Sequence, residues 1–158
     1  MFSPITHRHL KAIQLPIQIL DSLGCCIAAL GAGPVEACRA QVADFGGAGP
    51  CALIGGGAAN PVYAGFWNAA LVHYVDFMAN FLAPTETCHT ADYFGVALTL
   101  AEYVNGSGRD LMLAVALAYT VKSCFVGHAN FMTRGFDHTT QLAFSLGAAR
   151  RHLFPRDT

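Results

Sequence analysis

The sequence predicts an all-α fold of about six helices in one domain. Two observations favour it: apolar residues recur at helical spacing wherever a segment is long enough to judge, and Gly, Pro and Asn divide those segments. A third is the composition, since 54% of the 158 residues are hydrophobic, which is enough for one extensive core.

The first two helices are bounded by proline and glycine. We expect the first over about residues 6–30, kinked or started at Pro16, and the second from Pro34 to about Gly46. The Gly-rich segment around residues 51–54 is long enough only for an isolated strand or one arm of a hairpin. Its glycines do not follow the phosphate-binding pattern, so they indicate a tight turn.

Polar caps mark the later helices. Asn60, before Pro61, is typical of an N-cap, and Ser107 with Asp110 forms a capping box. These helices are expected over residues 61–78, 90–105, 109–127 and 137–153. The third of them is apolar on nearly all sides, which is typical of a helix enclosed by a larger body.

Charge and cysteine content exclude several classes of protein. The net charge is -1 with scattered signs, which argues against nucleic acid and anionic membranes as partners. The apolar run 111–119 is too short to span a bilayer, and Pro16 and Asp21 interrupt any signal-peptide core, so we expect a cytoplasmic protein. Six cysteines without a CxxC pair suggest buried thiols, so no disulfide framework, metal site or cofactor is expected.

Three polar residues are candidates for chemistry. Asp76 lies in the mostly apolar stretch 67–82, where a carboxylate needs a partner or a role, and His73 shares its helix face. This pair is either structural, holding the helix end, or part of a site. His89 follows a loop and is either a helix-start residue or a general acid or base. His138 follows Asp137, so it is either a first-turn residue behind an Asp cap or a site residue.

Several segments, taken together, resemble one known family. They are Asp21-Ser22-Leu23-Gly24-Cys25, Leu53-Ile54-Gly55-Gly56, Asn68 with residues 73–78, residues 80–84 with 86–89, Gly106-Ser107-Gly108-Arg109-Asp110-Leu111, and Gly135-Phe136-Asp137-His138-Thr139-Thr140. Their order and spacing resemble the MmgE/PrpD family, which includes 2-methylcitrate dehydratase, cis-aconitate decarboxylase and iminodisuccinate epimerase. The resemblance covers residues 1–158, but only the first part of a family member.

The resemblance implies a fold and a type of reaction. It implies an N-terminal helical domain, here truncated, to which a lid domain and further C-terminal helices belong in complete members. It also implies a homodimer and metal-free acid/base chemistry on small carboxylic acids. Carried over by position, Asp76, His89 and His138 would be catalytic, Asn80 would hydrogen-bond the substrate, and Arg134 is the nearest candidate for a substrate carboxylate.

Departures from the family pattern leave two readings open. Met78, Ala79, Thr90 and Tyr93 replace more polar or cyclic residues usual in the family, and the chain has only two lysines, Lys11 and Lys122. The first reading is a lyase, acting as a dehydratase, decarboxylase or epimerase on acids such as 2-methylcitrate, with negligible turnover as this short chain. The second is a catalytically dead helical fragment that serves in interaction or dimerisation. Both predict self-association or a bound partner.

Overall fold

The computed structural model describes residues 4–84, 86–129 and 131–154, and side chains from residue 14 onward. Within these ranges the helices are α1 (Pro4–Ala29), α2 (Gly33–Phe45), α3 (Pro61–Tyr74), α4 (Phe94–Tyr103), α5 (Gly108–His128) and α6 (Thr140–Leu153). A short 3₁₀ helix covers Met132–Arg134. Two antiparallel hairpins complete the fold, β1 (Cys51–Ala52) with β2 (Ala58–Ala59) and β3 (Asn80–Leu82) with β4 (Thr87–His89). The predicted mainly helical architecture with six helices is confirmed.

The helices pack as two neighbouring groups. The α3 helix lies against α1, α2 and α4, while α5 packs most extensively on α6 and also contacts α4 and α1. Trp67, Leu71 and Phe94 are among the large buried side chains of the core. Burial of each such side chain contributes roughly 1.5–3 kcal/mol, so this core is the main source of stability.

The backbones of α3 and α4 approach closely at Gly95. A Cβ atom there would collide with the backbone of Asn68 and Ala69 on α3. Glycine therefore lets the two helix backbones touch, which explains its place in the first turn of an otherwise regular helix. The α4 helix begins directly after the segment that carries the candidate site.

The side chain of Asn68 joins α3, α4 and the first hairpin. Its Oδ1 accepts a hydrogen bond from Ile54 N at 3.0 Å, and its Nδ2 donates to Ala52 O and to Thr99 Oγ1, each at 3.1 Å. Because Asn68 is 1% exposed, these bonds satisfy a side-chain amide that water cannot reach. We call Asn68 and these three partners the Asn68 cluster.

The predicted caps at Asn60 and Ser107 are confirmed, but some helix ends are not. Asn60 Oδ1 accepts from the backbone N–H groups of the first turn of α3, and Ser107 and Asp110 form the capping box of α5. The α3 helix ends at Tyr74 rather than near Met78, because Asp76 adopts a left-handed conformation with φ 55°. The prediction of a helix starting at residue 90 is also wrong: residues 87–89 form β4, and α4 begins at Phe94.

The α5 helix combines an apolar surface with partial burial. By length and composition it is the one helix in the described ranges that could cross a membrane alone, and 28% of its most apolar window is buried. Met112, Leu113 and Leu117 are each about 40% exposed, while Ala114, Val115 and Ala118 are buried. Although α5 packs on three other helices, the described chain covers only part of its apolar surface.

Candidate active site

The candidate site is built around the β3–β4 hairpin, which the sequence did not predict. Phe81 of β3 contacts Tyr119 of α5 edge to face, with ring centroids 6.2 Å apart. At the turn, Glu86 is buried and its carboxylate accepts from Phe131 N at 3.1 Å and from Gln141 Nε2 at 3.0 Å. The hairpin is thereby fixed to α5 on one side and to α6 on the other.

Three imidazole rings lie in a row where the hairpin meets the helices. His89, at the end of β4, is central: its ring centroid is 5.4 Å from that of His73 on α3 and 5.2 Å from that of His138 before α6. Both contacts are edge-on. His73 and His138, which are 65 positions apart in the sequence, therefore both contact His89. We call His73, His89 and His138 the histidine row.

Asp92 and Lys122 are hydrogen-bonded to two residues of the histidine row. His73 Nδ1 donates to Asp92 Oδ1 at 2.9 Å, and Asp92 is largely buried in the turn before α4. Lys122 of α5 is fully buried, with Nζ 2.5 Å from His89 O and 3.4 Å from Asp92 Oδ2. A buried ammonium and a buried carboxylate are tolerated here because they neutralise each other and share hydrogen bonds.

Two nitrogens of the histidine row are buried without a hydrogen-bond partner in the described part of the chain. They are His89 Nδ1 and His138 Nε2. Most buried polar atoms are hydrogen-bonded, so two such atoms on neighbouring rings are unusual and mark a place where a ligand group could bind.

The turn formed by Asp137 and Thr139 supports His138. Asp137 Oδ1 accepts from Thr139 N at 2.8 Å and from Thr139 Oγ1 at 2.6 Å, and lies 3.6 Å from His138 Nδ1. The hydrogen bonds from Thr139 lower the pKa of Asp137, so this carboxylate stays ionised beside the imidazole. The predicted Asp137 N-cap and first-turn His138 are wrong, because α6 begins at Thr140 with Thr139 as its N-cap; Asp137 instead supports His138 in the turn before the helix.

The other predicted site residues differ in how close they lie to the row. Asn80 stands directly across the hairpin from His89, and cross-strand pairs share a face. Asp76 is exposed beyond the end of α3, and His73 pairs with Asp92, so the expected pair of Asp76 with His73 is wrong. Arg134 is exposed on the 3₁₀ helix. The structure thus brings His89 next to His138 and places Asn80 across the hairpin from His89.

The thiol beside His89 is not an activated nucleophile. Cys88 is buried, and burial raises the pKa of its thiol to about 11, with a smaller opposing effect of Lys122. A thiol protonated near neutral pH is a weak nucleophile. In the part of the chain whose side chains are described, no group of three or more His, Cys, Asp or Glu residues is arranged to hold a metal ion.

Sequence reasoning missed Asp92 and the role of Lys122. A single lysine in an otherwise apolar helix was the available signal, because a buried ammonium requires an acid partner. The structure identifies that partner as Asp92, three residues after His89. The pairing of His73 with Asp92 had no signal in the spacing, since the two residues lie on different elements.

The fold and the site define a helical domain that carries a cluster of imidazoles supported by a buried ion pair. The family model of the MmgE/PrpD N-terminal domain matches residues 11–156. The chain therefore belongs to the MmgE/PrpD family, and the resemblance seen in its motifs is confirmed. Searches of curated proteins and of solved structures found no match.

Proposed function

We propose that this chain is a lyase-type domain in which His89 and His138 exchange protons with a small hydroxycarboxylic acid such as 2-methylcitrate. The observation that supports the proposal is the edge contact of the two rings, each with a buried nitrogen that has no partner in the described chain. Membership of the MmgE/PrpD family supports the same type of chemistry.

Elimination of water from a hydroxy acid needs two proton transfers. A base removes the proton from the carbon next to the carboxylate, the C–O bond breaks, and an acid delivers a proton to the departing hydroxyl group. Imidazole serves in both roles near neutral pH. Two neighbouring rings could therefore supply the base and the acid from one side of a bound substrate.

The negative charge of the substrate limits turnover, because its carboxylates need cationic partners in the site. Lys122 is buried and bonded to His89 O and Asp92, so it is not free to bind a substrate carboxylate. Arg134 is the nearest exposed candidate. Because electrostatic stabilisation is a large part of catalysis, we expect this chain alone to bind such acids weakly and to turn them over negligibly.

The test uses the ring signals of the histidines in nuclear magnetic resonance spectra. Addition of 2-methylcitrate or citrate should shift the signals of His89 and His138 saturably, whereas His128, exposed at the end of α5, serves as an internal control. Sulfate controls for charge alone. His89→Gln should abolish the response of His138, and His128→Gln should not. If no hydroxy acid shifts either ring, the proposal is wrong.

A second candidate function is a helical interaction module. It is favoured by an exposed apolar stripe on α1, formed by Ile17, Leu20 and Ile27, of which Leu20 is 70% exposed. Spacings of three and seven residues are typical of a helix that packs against another helix. We propose a second copy of the chain as the partner, and cytoplasmic location goes with either function.

Sedimentation decides between a paired and a single chain. A dimer that Leu20→Glu and Ile27→Glu disperse, while Met112→Glu on the exposed side of α5 does not, would support the module. A monomer at all concentrations would leave the stripe without a partner and exclude it.

A further inference from the structure

Lys122 has the most restricted environment of the charged side chains that the structure describes. It is 0% exposed and lies in the last third of an apolar helix. Its Nζ donates to His89 O at 2.5 Å and lies 3.4 Å from Asp92 Oδ2. Taking an ammonium out of water is costly, so a lysine in such a place needs well-formed partners.

The two acceptors, His89 O and Asp92 Oδ2, belong to the two ends of the segment 89–92. His89 is the last residue of β4, and Asp92 lies in the turn that leads into α4. Lys122 thus ties both ends of this short segment to α5. The bond is to the carbonyl of His89 itself, so it fixes the peptide plane that follows the residue and, with it, the direction of the Cα–Cβ bond.

Lys122 and Asp92 act on different rings of the histidine row. One carboxylate oxygen of Asp92 accepts from His73 Nδ1, and the other faces Lys122. The hydrogen bond from the lysine to His89 is to the backbone carbonyl. Loss of the carboxylate should therefore change His73 first, and loss of the ammonium should change His89 first.

We propose that Lys122 is a positioning residue, which holds His89 at the angle needed to contact His138 and a bound acid. The catalytic importance of this positioning rests on the proposed function. The hydrogen bonds from Lys122 that would position His89 do not depend on that function. A direct role in binding substrate is excluded by the full burial of Lys122 and by its two protein partners. Small errors in the position of a reacting group can lower rates strongly, so such an anchor matters.

The main experiment compares three variants by the ring signals of their histidines. Lys122→Met with Asp92→Asn removes the ammonium while leaving no unpaired buried carboxylate. In this double variant the His89 signals should move, and binding of citrate should weaken about tenfold or more. Asp92→Asn alone keeps an amide oxygen that can accept from Lys122, and should move the His73 signals more than those of His89. Lys122→Gln with Asp92→Asn, which keeps a donor and also leaves no unpaired carboxylate, should recover part of the binding.

Several outcomes would overturn the proposal or separate it from the proposed function. A folded double variant with parent-like His89 signals and citrate binding overturns it, although the proposed function would stand. If the parent does not respond to citrate, the proposed function fails, and the His89 signals alone decide whether Lys122 positions the ring.

A measurement on the parent protein covers the case in which the double variant does not fold. The hydrogen bond should give a scalar coupling between the Lys122 ammonium nitrogen and the carbonyl carbon of His89, and slow exchange of the ammonium protons. Absence of both in the folded parent overturns the proposal.

Discussion

The Asn68 cluster and the histidine row are two polar groups inside one apolar domain, and they differ in how completely their atoms are paired. In the Asn68 cluster, both ends of the amide are hydrogen-bonded, to Ile54 N, Ala52 O and Thr99 Oγ1. In the histidine row, His89 Nδ1 and His138 Nε2 are buried without partners in the described chain.

The difference separates stability from function. A saturated buried polar group specifies one packing arrangement, because any shift would leave a donor or acceptor unpaired. Unpaired nitrogens do the opposite, since they destabilise the free protein and can gain a hydrogen bond when a ligand arrives. We therefore expect substitutions in the Asn68 cluster to lower the stability, and substitutions in the histidine row to change binding with small effects on stability.

The largest expected effect is that of Asn68→Ala. It leaves three partner groups without their hydrogen bonds and should lower the free energy of unfolding by about 3 kcal/mol. Urea unfolding followed by the fluorescence of Trp67 measures it. Asn80→Ala, at an exposed asparagine, is the control and should change stability by less than about 0.5 kcal/mol. Equal effects of the two substitutions would show that the hydrogen bonds of the Asn68 cluster do not stabilise the fold more than those of an exposed asparagine.

Glu86→Ala should have the next largest effect, because Glu86 ties the hairpin that carries His89 to α6. Loss of its bonds to Phe131 N and Gln141 should cost about 2 kcal/mol. It should also separate His89 from His138, which the loss of a nuclear Overhauser effect between the two rings would show. Asp44→Ala, at an exposed position on α2, is the control. A destabilised variant that keeps the ring contact would show that the hairpin is held by other contacts.

A smaller effect concerns the capping box of α5. Hydrogen bonds from Ser107 lower the pKa of Asp110 below its ordinary value of 3.8. A carboxylate with a depressed pKa stabilises the fold above the unfolded pKa, and this stabilisation is lost as pH falls through the folded pKa. Asp110→Asn should therefore be less stable than the parent at pH about 6 and should converge with it in acid. Unfolding midpoints across this range test it, and parallel curves would contradict it.

The smallest effect is on thiol reactivity and leaves stability unchanged. Burial raises the pKa of Cys26, near the Asn68 cluster, to about 12 and that of Cys88, in the site, to about 11. At pH about 8 iodoacetamide should alkylate exposed Cys124 first and Cys26 and Cys88 last. Peptide mass spectrometry locates the adducts, with urea-unfolded chain as the control. Early modification of Cys88 but not Cys26 would show that the hairpin opens locally, which sharpens the comparison.

Local signals were sufficient to predict most helices. Asn60 and Ser107 were recognisable caps, because an N-cap depends on neighbouring residues alone. The end of α3 was not predictable, since Asp76 is a non-glycine residue in a left-handed conformation. The β3–β4 hairpin was missed because three-residue strands depend on contacts with α5 and α6 rather than on local alternation.

The site shows the same division between local and non-local information. His89 and His138 were found from their motifs, and the structure brings their rings together. Asp76 was selected for its apolar surroundings, yet the chain turns outward there and exposes it. Asp92 and Lys122 became visible only in the structure, since their pairing joins a turn to a helix thirty residues away.

The burial of Lys122 also determines when a lysine-specific protease can cleave this protein. The chain has two lysines, Lys11 and Lys122, so a lysine-specific protease has one possible cleavage point after residue 14. Since the Lys122 side chain is 0% exposed within α5, the enzyme can cut there only when the domain opens. Cleavage after Lys122 then follows the open population, and each kcal/mol of lost stability should speed it about fivefold. One peptide bond thus reports the opening of the core without any label.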